Sequence, residues 1–150
     1  WRVHDSVQLL RPMLGRRRSL ESIVNREPIV VRRRLFDDDA IERTAPDFEL
    51  VEHLLAGCGA INLYIAWHDG AGHARARMFT QLVEGGEDPA TGSAAGPLCA
   101  YLAARGRGER VEIAQGVEMG RPSRLDAEIE GDRVRVAGNV VPVIEGSVSL

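Results

Sequence analysis

The segment Gly85–Ala94, GGEDPATGSA, concentrates the residues whose types and spacing can do chemistry. Two acids, Glu87 and Asp88, precede a rigid proline turn, and a Thr91-Gly92-Ser93 step follows where a long small-residue stretch begins. If that stretch is a helix, its first N–H groups lack intrahelical partners and lie at the positive end of the helix dipole, so the opening binds anions. Gly92 lets a ligand approach the backbone closely. A carboxylate or phosphate fits there. Asp88 then falls beside the anion, and a carboxyl group that is partly desolvated next to a negative charge is tuned toward proton transfer. The same residues also fit a plainer account, in which Asp88-Pro89 is an ordinary turn and Thr91 or Ser93 an ordinary N-cap.

Such a site needs elements to hold it. Residues 91–105, TGSAAGPLCAYLAAR, are small and apolar on nearly every side and end at Gly106. A helix of that kind is enclosed, as when a curved sheet wraps around it. Pro97 removes the N–H that would bond to Ser93, a cost that vanishes only near the first turn. Upstream, Thr44-Ala-Pro-Asp47 offers a hydroxyl cap with an acid three residues on. Phe48, Val51, Leu54 and Leu55 then recur at helical spacing until Gly57. Residues 60–67 and 73–79 read as two strands of a hairpin joined by Asp69-Gly-Ala-Gly72. Residues 110–114, 124–130, 133–137 and 140–144 alternate apolar with polar positions, with Gly131-Asp132 as a tight turn. An α+β architecture with antiparallel sheet is implied.

Composition removes several alternatives. All 19 basic residues are arginine, so the chain supplies no lysine for a Walker-type phosphate loop, a Schiff base or a general base. No apolar run reaches the length of a membrane span, and nothing resembles a signal peptide, so a cytoplasmic setting is expected. Cys58 and Cys99 show no metal-ligand spacing and read as small buried hydrophobes. His53, His68 and His73 read as surface residues, and Arg75 and Arg77, on one strand face, as solvated side chains. Residues 1–34 carry a net charge of +6 and the remainder −9, which sets off a basic arm over about residues 1–35. Its arginine triplets lack interleaved aromatic residues, so a solvated arm is preferred over nucleic-acid binding.

Three blocks in order, EDPATGSAAG with PLCAYLA at 87–103, QGVEMGRPS at 115–123 and VRVAGNVVPVIEG at 134–146, resemble the C-terminal half of the PhzF-like phenazine-biosynthesis family, relatives of diaminopimelate epimerase. RMF at 77–79 extends the likeness, which runs from about residue 38 to 148. The resemblance implies a diaminopimelate epimerase-like lobe, a barrel-like sheet around a central helix, over residues 36–150. It implies a cofactor-free and metal-free isomerase that moves a proton on a small carboxylate substrate, as in the isomerisation of trans-2,3-dihydro-3-hydroxyanthranilate.

On that likeness Asp88 and Ser93 are the catalytic candidates, and Thr91, Gly92 and Ala94 the substrate-binding ones. No cysteine lies in the 87–94 motif, which disfavours a two-thiol racemase mechanism. The family's principal glutamate belongs to an N-terminal lobe, and Glu21 and Glu27 lack its flanking pattern. A chain inactive alone is therefore expected, self-associating as a homodimer or docking on a missing lobe. Arg121 can clamp a carboxylate from the cleft or can pair with an acid in a structural loop, the latter preferred. Two rivals stand beside the isomerase: an inactive small-molecule-binding remnant of the same fold, and a nucleic-acid-associated protein using the basic arm.

Overall fold

The structure is a computed structural model in which residues 29–31, 39–56, 60 and 62–148 are described. Most of the basic arm, Gly57 and Cys58 lie outside the described residues. In chain order the elements are β1 (Ile29–Val31), α1 (Asp39–Glu42), α2 (Phe48–Ala56), β2 (Asn62–His68), β3 (His73–Thr80), β4 (Glu87–Asp88), α3 (Gly92–Ala103), β5 (Arg110–Gln115), β6 (Ser123–Glu130) and β7 (Arg133–Gly138). The α+β expectation holds. Among the described residues no helix is long and apolar enough to cross a membrane.

One sheet organises the molecule, in the order β1-β2-β3-β5-β6-β7, with β4 paired to β3. It is mixed rather than antiparallel throughout, because β1 pairs parallel with β2 and β3 pairs parallel with β5. The second junction follows from the connection: α3 is the crossover between β3 and β5, and a helical crossover returns the chain in the same direction. The two hairpins lie where turn chemistry puts them, at 69–72 and 131–132.

Strand alternation divides the side chains between two faces. Ala74, Ala76 and Met78 of β3, Val111 and Ile113 of β5, and Leu125 and Ala127 of β6 face α3 and pack with Ala94, Ala95, Leu98, Cys99, Tyr101 and Leu102. This is the main core, and it encloses α3 as its small apolar composition requires. Pro97 lies inside the helix without ending it. The Ser93 carbonyl that loses its donor belongs to an exposed residue, where water can serve it. The opposite face buries Ile65 and Phe79 under Ile41 of α1 and Phe48 of α2.

Three local expectations change. Helix α2 is capped by Asp47, whose Oδ1 accepts from Leu50 N at 3.1 Å. Thr44 instead donates its hydroxyl to Ala40 O at 2.8 Å and closes α1. Pro46 explains the shift, since the residue before a proline is pushed out of helical geometry and the cap moves past it. Residues 140–144 form no strand, and Val140, Val141, Val143 and Ile144 are exposed. Pro142 lacks the N–H that a ladder needs there.

The third change concerns Arg75 and Arg77, which share a strand face that α1 covers. Arg77 is buried, its Nε and Nη2 each 2.8 Å from a Glu87 oxygen, and its Nη1 donates to the carbonyls of Ile41, Glu42 and Thr44 at 2.8–3.2 Å. Arg75 is half-buried, 2.8 Å from Glu118. The Arg77 guanidinium can leave water on these terms because its planar fork finds an acceptor for every nitrogen.

His53 is exposed, as is His73, which lies 2.9 Å from Asp69 Oδ2. His68 is half-buried, and burial lowers its pKa. Cys99 is buried in the main core, and burial raises its thiol pKa.

Candidate active site

The turn that leads into α3 is built from three elements. Strand β4 brings Asp88 alongside Met78 of β3. Pro89 and Ala90 turn the chain, and Thr91 occupies the N-cap position of α3. The Thr91 hydroxyl does not cap its helix; it bonds to Asp88 Oδ2 at 2.5 Å. At the helix opening, Ala94 and Ala95 both send their N–H to Thr91 O, at 3.1 and 3.2 Å. The N–H groups of Gly92 and Ser93 have no partner among the described residues, and both residues are exposed. Asp88 is half-buried, and its Oδ1 accepts nothing among the described residues.

The structure therefore gathers Asp88, Thr91, Gly92 and Ser93 at one turn. Ala94 differs in kind: its side chain is fully buried in the main core and its N–H is spent on Thr91 O. It anchors the turn from beneath. The arrangement offers an anion two main-chain donors at the same turn as a carboxyl oxygen that has no partner among the described residues.

A residue outside the expected set holds the turn together. Gln115 at the end of β5 is fully buried. Its Nε2 donates to Asp88 O at 2.7 Å and to Thr91 Oγ1 at 2.9 Å. Its Oε1 accepts from Thr91 N and from the hydroxyl of buried Tyr64, each at 3.3 Å. Burial pushes the Tyr64 phenol far above its ordinary pKa. Gly116 completes the seat. With φ +75° it brings the backbone so close that a Cβ would meet Arg121 O at 2.5 Å and Pro89 O at 2.7 Å.

The signal for Gln115 was present in the alternation of β5. Val111, Ile113 and Gln115 lie at one spacing and are all fully buried, so a carboxamide occupies a position where the period asks for a hydrophobe. The expected strand stopped at 114, one residue short of it.

The QGVEMGRPS block thus closes over the turn through its backbone. Arg121 N donates to Gly116 O at 2.9 Å, while the Arg121 side chain is exposed and pairs with no acid among the described residues. Glu118 of the same loop is buried against Arg75. A groove of about 330 Å³ lies elsewhere, between α2 and the end of β3, lined by Phe48, Val51, Leu55, Phe79 and Leu82. Its lining is mostly apolar, and the one acid on it, Glu52, accepts from Gln81 Nε2 at 3.3 Å.

Sheet, enclosed helix and acidic turn together define an α+β lobe of the epimerase-like class. A structure described as a predicted epimerase of Pseudomonas aeruginosa superposes with a TM-score of 0.52 at 28% identity, covering 79% of this chain and 42% of that one. A phenazine biosynthesis protein of the PhzF family from Bacillus anthracis shares the fold with a TM-score of 0.53 at 21% identity, over 74% of this chain and 41% of the other. The sequence profile of the PhzC-PhzF, phenazine biosynthesis-like family matches residues 25–146, and the chain belongs to that family. The match takes in β1, within the arm set off by charge.

Among curated proteins, the trans-2,3-dihydro-3-hydroxyanthranilate isomerase of Pseudomonas aeruginosa is 44% identical over 102 residues, 62% of this chain and 37% of the relative. The enzyme of the same name from Pseudomonas fluorescens is 49% identical over 90 residues, 54% of this chain and 32% of the relative. The chain spans about a third of the length of these relatives.

Proposed function

We propose that this lobe carries half of a cofactor-independent isomerase site that moves a proton on a small carboxylate substrate of the trans-2,3-dihydro-3-hydroxyanthranilate type. The observation that carries it is the diverted cap. Thr91 turns its hydroxyl to Asp88 and leaves its own helix without a side-chain cap, the amides of Gly92 and Ser93 have no partner among the described residues, and an acid/base group stands at the same turn. The names of the relatives support the substrate class.

In this reading the Gly92 and Ser93 amides hold the substrate carboxylate, the Ser93 hydroxyl orients it, and Ala94 fixes the turn from the core. Asp88 Oδ1 accepts a proton from carbon and returns it at another position. The lobe works against a second lobe, from the same polypeptide or another copy, which supplies the opposing acid/base group and covers the exposed Val140, Val141, Val143 and Ile144. A cytosolic setting accords with the free thiol of Cys99.

The test is incubation of the protein, assembled with its second lobe, with trans-2,3-dihydro-3-hydroxyanthranilate in deuterium oxide, followed by NMR. Deuterium enters the substrate with the unaltered protein, and Asp88→Asn slows its entry by about 10²–10⁴-fold. Binding of the substrate without any label in it would identify an inactive binding protein instead.

A further inference from the structure

The hydrogen bonds around Gln115 have only one consistent direction. The Thr91 main-chain N–H can only donate and the Asp88 carbonyl can only accept. These two contacts therefore fix the carboxamide, with Oε1 toward Thr91 N at 3.3 Å and Nε2 toward Asp88 O at 2.7 Å. The second Nε2 proton then points at Thr91 Oγ1, 2.9 Å away, which must accept it. The single hydroxyl proton of Thr91 is left to donate to Asp88 Oδ2. Tyr64 closes the other end as a donor to Oε1.

We propose that Gln115 is a positioning residue that, acting through Thr91, fixes the orientation of the Asp88 carboxyl group and leaves Oδ1 as its working oxygen. The Thr91 hydroxyl donates to Oδ2 and, being far less acidic than a carboxyl group, gives up no proton to the reaction. It also fixes the rotation of the carboxyl group, whose Oδ1 accepts nothing among the described residues. The catalytic consequence rests on the reading of Asp88 given above.

Few other charges bear on Asp88 from the elements packed around it. On β4 and β3, Glu87 and Arg77 bind each other. In the loop after β5, Glu118 is held by Arg75 and Arg121 is exposed. Helix α3 carries no charged residue.

The test combines hydrogen exchange with the isomerase assay, in the protein with its second lobe present. Both Nε2 protons of Gln115 exchange slowly with solvent in the unaltered protein, and prompt exchange overturns the inference. Thr91→Val lowers kcat at least 10-fold with KM within about 2-fold, Gln115→Met acts in the same direction, and Thr91→Ser restores the rate. An unaltered kcat in Thr91→Val, or Thr91→Ser behaving like Thr91→Val, overturns the inference. Should Gln115→Met fail to fold, the exchange of the Gln115 protons and the two Thr91 variants decide. If the Gln115 protons are protected while no protein, altered or not, labels the substrate, the functional reading of Asp88 falls and the hydrogen-bond inference stands.

Discussion

The two faces of β3 bury polar groups in opposite ways. Toward α1, Arg77 and Glu87 form a two-pronged ion pair, and the remaining Arg77 nitrogen is spent on three carbonyls at the end of α1. Bonding to Glu87 raises the Arg77 pKa further above its ordinary value. Nothing in that cluster is left for a ligand. Toward α3, Gln115, Thr91 and Tyr64 make a neutral network that ends on Asp88 and leaves Oδ1 and two amides open. A closed ionic cluster serves stability, because any unpaired charge there is costly. A neutral network with one open end can hold a reactive group without neutralising it.

If that contrast is right, breaking each region has a different signature. Arg77→Met leaves the Glu87 carboxylate buried without its partner and lowers the unfolding free energy by about 3–5 kcal/mol, read by urea titration. Under conditions where it stays folded, it labels substrate at the unaltered rate; a lost rate would mean the two regions act as one. Gly116→Ala forces a side chain into a left-handed backbone against Pro89 and costs about 1–3 kcal/mol. Its labelling rate falls further than its stability does, since the Asp88 turn rests on that contact.

The smallest effect comes from the 69–72 turn, which belongs to neither region. Burial lowers the His68 pKa, so the unfolded chain binds the proton more readily than the folded one. The stability this lends is full above the unfolded value of 6.5 and declines as pH falls below it toward the lowered folded value. Asp69 adds a second loss in stronger acid: hydrogen bonds from the His73 and Ala71 backbone hold its pKa at about 2, and its contribution fades as pH falls from 3.8 through that value. In His68→Gln the melting temperature should lose the upper part of this slope and keep the lower.

Much of this was legible in one dimension. The enclosed α3, both hairpins and the acidic turn all follow from local pattern, because turn residues and side-chain periodicity act over a few neighbouring positions. Arg75 and Arg77 were misjudged for a reason that local pattern cannot repair. Alternation placed them on one face, but only α1, folded across that face, made it an interior. Gln115 was hidden at a strand end, where a polar residue looks like the beginning of a loop.

By itself the sequence determined α2, α3, the strands flanking both hairpins, the family and the candidate residues at 88–94, since each depends on short-range chemistry or on a recognisable string. The tertiary structure alone decided the direction of the Thr91 hydroxyl, the burial of Gln115 and the pairing of Arg77. Those depend on which strands become neighbours across dozens of residues, and a hydrogen bond has no partner until the fold delivers one.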